Sequence, residues 1–99
     1  MVKHIVMWSF KDELSPEERH ATALKIKQGL EGLAGIVPGL LEVKVHTELI
    51  QGSTAGLLLD TLLVDADALE AYQTHPEHLK IKDIVQPATK QRLAADYEA

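Results

Sequence analysis

Cysteine is missing from this 99-residue chain, which excludes disulfides and thiolate chemistry. Basic residues are in deficit: ten Lys and Arg stand against fifteen Asp and Glu, for a formal charge of −5. Such a surface repels phosphate backbones and no dense basic patch offsets it, so nucleic acid is not expected as a partner. An anionic membrane surface is disfavoured on the same ground. No apolar run approaches the roughly 20 residues that span a bilayer. The N-terminus opens into a strand-like run without a charged head and an apolar signal core, and the expected location is the cytoplasm. Repeats and low-complexity tracts are also absent.

What remains is ordinary globular material, suited to one domain over residues 1–99. Val2 to Phe10 is rich in β-branched and aromatic residues and reads as a strand. After a polar turn, Ser15-Pro16-Glu17-Glu18 supplies a cap, a first-turn proline and the acidic partner of a capping box. Ala23, Ile26, Leu30 and Leu33 continue an apolar stripe, so the helix is expected to run to about Ala34 before Gly35 and Pro38-Gly39 stop it. Leu40 to Glu48 alternates, with Leu41, Val43 and Val45 on the apolar face. Residues 51–56 form a turn, and Leu57 to Val64 is a strand apolar on both sides. Asp65 caps a helix carrying Leu69 and Tyr72, and Pro76 starts a second piece through Ile84. Thr89 to Tyr97 has helical propensity, yet Leu93, Ala95 and Tyr97 alternate. A strand there completes a ferredoxin-like β-α-β-β-α-β fold with a four-stranded sheet, and that is the expected α+β architecture.

The strand faces carry a second expectation. Ile5 and Met7 lie opposite Val2, Val6, Trp8 and Phe10, so the first strand is apolar on both faces, as is the third. Short helices cover only one face of a four-stranded sheet. A second copy is the simplest cover for the other, with Ile5 and Met7 buried between the protomers of a homodimer.

Lys3-His4-Ile5-Val6, Pro38-Gly39, the run Tyr72-Gln-Thr-His75-Pro76-Glu-His78 and the final Asp96-Tyr97 together resemble the stress-responsive dimeric α/β-barrel (Dabb) family, over nearly the whole chain. The resemblance implies a four-stranded antiparallel sheet with helices on one face, two sheets packing face to face. Most members have no established activity. One plant member, a polyketide cyclase, uses the tyrosine and the second histidine of this motif for acid/base chemistry; here these are Tyr72 and His78.

Read on their own, the same residues leave two alternatives open. If the break at Pro76 folds the chain back, Tyr72 and His78 converge as a proton-transfer pair, with Asp96 accepting the other imidazole proton of His78. Alternatively, His75, Pro76 and His78 only shape the helix break and Tyr72 fills the core. His4, Val6 and Trp8 share one strand face, either as core or as the wall of a ligand cavity in which His4 needs a hydrogen-bond partner. No serine or cysteine nucleophile accompanies them. His75 and His78 are too few for zinc, and His75 is the expected cap before Pro76, so no metal is expected. Neither is a cofactor. Two functions fit: an acid/base catalyst of lyase or cyclase type on a small, largely apolar carbonyl or phenolic compound, or a dimer that binds such a ligand without chemistry.

Overall fold

The computed structural model describes residues 1–99. Seven elements follow in order: β1 (Val2–Phe10), α1 (Pro16–Glu31), β2 (Leu40–His46), β3 (Leu57–Leu63), α2 (Ala66–Thr74), α3 (Pro76–Ala88) and β4 (Thr89–Glu98). The strands form one antiparallel sheet in the order β2-β3-β1-β4. The ambiguous last segment is therefore a strand, held along β1 from Val2↔Glu98 to Phe10↔Thr89.

Local chemistry sets the helix starts. Ser15 Oγ accepts from the Glu18 amide at 3.1 Å while Glu18 Oε1 accepts from the Ser15 amide at 3.0 Å, closing the capping box. Asp65 Oδ1 accepts from the Ala68 amide at 2.8 Å. His75 is extended between α2 and α3, and its Nδ1 accepts from the Glu77 amide at 3.1 Å. A histidine thus does the work usually left to Ser or Asp, with Pro76 behind it at the first helical position.

The core lies between the sheet and the helices. Val6, Trp8 and Phe10 from β1, Leu57, Leu59 and Leu63 from β3, and Val45 from β2 meet Ile26 and Leu30 of α1, Tyr72 of α2 and Val85 of α3. Gly39 has φ +82°, and a Cβ there would come within 2.7 Å of Ala68 Cβ, so glycine permits both the turn and the close seating of α2.

Several boundaries differ from expectation. α1 ends at Glu31, and a turn carries Leu33 and Val37 into the core. α3 continues past Pro87 because Val85 and Ala88, three residues apart, are both buried. In β2 a register shift between Leu40 and Glu42 reverses the start of the alternation, so Leu40 is buried and Leu41 exposed.

At the β2 edge, α1 grips the backbone. Lys27 Nζ donates to the Val45 carbonyl and the Val45 amide donates to Glu31 Oε2, both at 2.9 Å, while Lys27 and Glu31 pair at 2.9 Å. Burial alone would push the Glu31 carboxyl up; the Val45 amide and Lys27 ammonium together hold it below its ordinary value.

The far face of the sheet is bare. It carries half-buried Ile5, Met7, Leu58 and Leu62 together with exposed Leu93 and Tyr97, and a Lys3–Asp60 ion pair of 2.7 Å. Lys3 and Asp60 lie on adjacent strands, so their pair fixes a point of charge within an otherwise apolar surface.

Candidate active site

Five elements converge on one region beneath the helices. β1 and β4 run antiparallel with His4 directly opposite Asp96, so both side chains leave the sheet on the same side. His4 is 2% exposed, and its Nδ1 hydrogen-bonds Asp96 Oδ1. The Asp96 carboxylate itself is 43% exposed, so the pair joins a buried ring to a solvated charge. Beside His4, Thr61 of β3 is buried and its hydroxyl donates to the His4 carbonyl at 2.6 Å. Backbone and ring of His4 are thereby both anchored, and the Nε2 edge is what remains for solvent or a ligand.

Tyr72 and His78 do come together. The extended residue His75 turns α3 back on α2, bringing the two rings to 4.5 Å between centroids at 53°. Tyr72 also meets His4 edge-on at 6.1 Å. The Tyr72 hydroxyl and His78 Nδ1 are both buried and neither has a hydrogen-bond partner. Burial pushes the Tyr72 phenol above its ordinary value. Burial likewise holds the His78 imidazole below its own, with the Gln73 backbone opposing and the charges of His4, Lys82 and Arg92 assisting. Both groups are therefore neutral near pH 7.

A cavity of about 560 Å³ lies between α3 and the β1–β4 side of the sheet. Val6, Trp8, Leu30, Leu59, Ile81 and Val85 form its apolar wall, and His4 and His78 reach it from opposite elements. Its β4 flank is uncovered, since Arg92, Ala94 and Asp96 on the helix side of that strand are all exposed.

Of the residues singled out in the sequence, His4, Val6, Trp8 and His78 share this cavity, Tyr72 packs directly behind His78, and Asp96 is displaced from its expected role. It pairs with His4 and not with His78, because the strand register puts His4 across from it while His78 sits a layer away on α3. The expected hydrogen bond between Tyr72 and His78 is not made either. Nor does Tyr72 line the cavity. Sequence reasoning missed the His4–Asp96 pair, although an antiparallel β1–β4 alignment of the expected strands was enough to find it. Thr61, interrupting an apolar strand, was the other available signal.

A four-stranded antiparallel sheet in this order, with three helices on one face, defines the ferredoxin-like α+β class. The chain belongs to the Dabb family: the model of the stress responsive A/B barrel domain matches residues 2–99. No curated protein matches it in sequence. Among solved structures, a dimeric ferredoxin-like protein of unknown function from Bacteroides fragilis is 28% identical, with TM-score 0.93 over 99% of this chain and 95% of that one. A dimeric ferredoxin-like protein from Thermobifida fusca is 22% identical, with TM-score 0.81 over 99% and 90%. Hydroxynitrile lyase from Passiflora edulis is 20% identical, with TM-score 0.76 over 97% and 90%, a likeness of fold alone.

Proposed function

We propose that residues 1–99 act as one homodimeric acid/base domain, of lyase or cyclase type, on a small, largely apolar carbonyl or phenolic compound. The observation that carries this reading is a buried histidine paired with a carboxylate on the wall of an apolar cavity. Donating an Nδ1–H hydrogen bond to Asp96 holds His4 in the tautomer with Nε2 free as a base, and the carboxylate stabilises the imidazolium formed when His4 takes a proton. His78 is the facing group. Its neutral ring donates N–H to the oxygen on which negative charge develops. In the forward step His4 takes a proton from substrate carbon or hydroxyl, the electron pair moves through the carbonyl or into the leaving carbon, and His4 returns the proton to the product.

Tyr72 and Asp96 are positioning residues on this reading. A phenolic donor and an imidazole acceptor, both unpartnered and in ring contact, are complementary. A hydrogen bond from Tyr72 to His78 Nδ1 is not made in the resting structure; formed when a ligand is bound, it keeps the His78 proton on Nε2. A second reading has an observation of its own: the Tyr72 hydroxyl is sealed from the cavity, as expected of a pocket that recognises a ligand without chemistry.

Dimerisation through the bare sheet face is part of the proposal. Leu93 is 65% and Tyr97 53% exposed beside Ile5 and Met7, and the Bacteroides and Thermobifida proteins are dimeric.

Deuterium wash-in tests the chemistry without knowledge of the natural substrate. Small aryl ketones incubated in heavy water report C–H abstraction by NMR, and aromatic cyanohydrins report cleavage by aldehyde absorbance; the Passiflora lyase guides only that choice of compounds. Turnover above buffer is expected, with His4→Ala lowering it by about 10²-fold or more. A compound that perturbs Trp8 emission but neither exchanges nor cleaves would favour the non-catalytic reading.

A further inference from the structure

The cavity has a polarity opposite to that of the chain. Acidic residues outnumber basic ones by fifteen to ten overall, yet the lining includes Lys82, Lys90 and Arg92 and not one carboxylate. Lys90 is occupied by Asp12 at 2.7 Å. Lys82 on α3 and Arg92 on β4 take part in no ion pair or side-chain hydrogen bond. Asp96 shares the helix side of β4 with Arg92, but four residues of strand put it about 13 Å away, and His4 already engages it.

We propose that Lys82 and Arg92 form an anion subsite at the mouth of the cavity, which takes the carboxylate of a ligand whose apolar body lies against Val6, Trp8 and Ile81. The assignment rests on the reading of the cavity as a ligand site and narrows it to a class: aryl or alkyl carboxylic acids with the reacting centre between the charged end and the apolar end. His78 lines the same cavity as both residues, and their charges help hold its imidazole below its ordinary value. A planar guanidinium accepts a carboxylate in two parallel hydrogen bonds, and a lysine across the mouth adds a second charge. An anion there would also offset the two positive charges that no carboxylate of the chain pairs with.

Trp8 is the only tryptophan and lines the cavity, so its emission reports occupancy. The probes are 3-phenylpropanoate and 4-phenylbutanoate, each titrated against its own carboxamide at neutral pH in low and high salt. The acids should bind about tenfold or more tighter than the amides, and only the acids should weaken in salt. In a Lys82→Met/Arg92→Met double variant the preference of acid over amide should vanish. Both side chains are exposed, so the variant keeps the fold, and circular dichroism verifies that. Equal binding of acid and amide overturns the anion subsite and leaves the cavity as a neutral-ligand site. A preference surviving in the double variant overturns the assignment to these residues. Absence of any Trp8 response to all four compounds overturns the subsite and the ligand-site reading together.

Discussion

Replacing Tyr72 by Phe separates the needs of the fold from those of the site. The ring is completely buried and packed on His78 and His4, and phenylalanine preserves those contacts. Only the hydroxyl is lost, and in the resting protein that hydroxyl is a buried donor with no acceptor. Leaving such a group unsatisfied costs about 1–3 kcal/mol, so Tyr72→Phe should stabilise the protein by about 1 kcal/mol or more. For a domain of this size that raises the melting temperature by about 4–8 °C per kcal/mol. In urea the midpoint should rise at unchanged slope, with wild type and variant at equal protein concentration so that dimerisation does not enter the difference. Proton exchange by the same variant should fall, because His78 loses the group that holds its tautomer. A variant less stable than wild type by about 1 kcal/mol would mean the hydroxyl is bonded in the resting fold. Unchanged exchange would remove Tyr72 from the mechanism.

Asp96→Asn should slow exchange by at least about tenfold while costing little stability, since the carboxylate is half solvated and an amide oxygen can still accept from His4; a parallel fall in urea midpoint would indicate a structural role. The unfolded His78 imidazole takes up a proton near pH 6.5 while the buried one resists it. Stability should therefore be flat above that pH and fall below it, and the part due to His78 should disappear in His78→Gln urea titrations. Gly39→Ala meets both a positive φ and the Ala68 methyl and should cost about 2 kcal/mol or more by urea unfolding. Leu93→Asp touches little within its own protomer, so it should leave each chain folded while sedimentation shows the dimer dissociating; an unchanged dimer would point to another interface.

Elements set by neighbouring residues were legible in the sequence. The Ser15–Glu18 box, the Asp65 cap and the break at His75-Pro76 each depend on groups within a few positions, and each forms as its spacing predicts. β4 was harder, since its propensity is helical; the alternation of Leu93, Ala95 and Tyr97 and the need for a closing strand decided it. The errors lie where distant packing overrides local preference. α3 passes through Pro87 because buried Val85 and Ala88 reward the extra turn, and the β2 bulge reverses the face of Leu41. The site was legible in its members and not in its pairing. His4, Tyr72, His78 and Asp96 all stood out, but Asp96 has both histidines within reach of any plausible topology, and its choice is made by a strand register 92 residues long in sequence separation. Cavity shape leaves no periodic trace at all.

The clasp of Lys27 and Glu31 on Val45 bears on how far this sheet can grow. A strand adding to β2 must first dislodge two side chains from both hydrogen-bonding groups of that rung, whereas β4 has no such guard. Polymerisation by edge pairing needs two open ends on every unit, as a chain of links does. With the β2 end closed, each sheet keeps a single open edge, at β4, and cannot be extended from both sides. Two residues on the first helix thus close one edge of the sheet, and their loss would open a second.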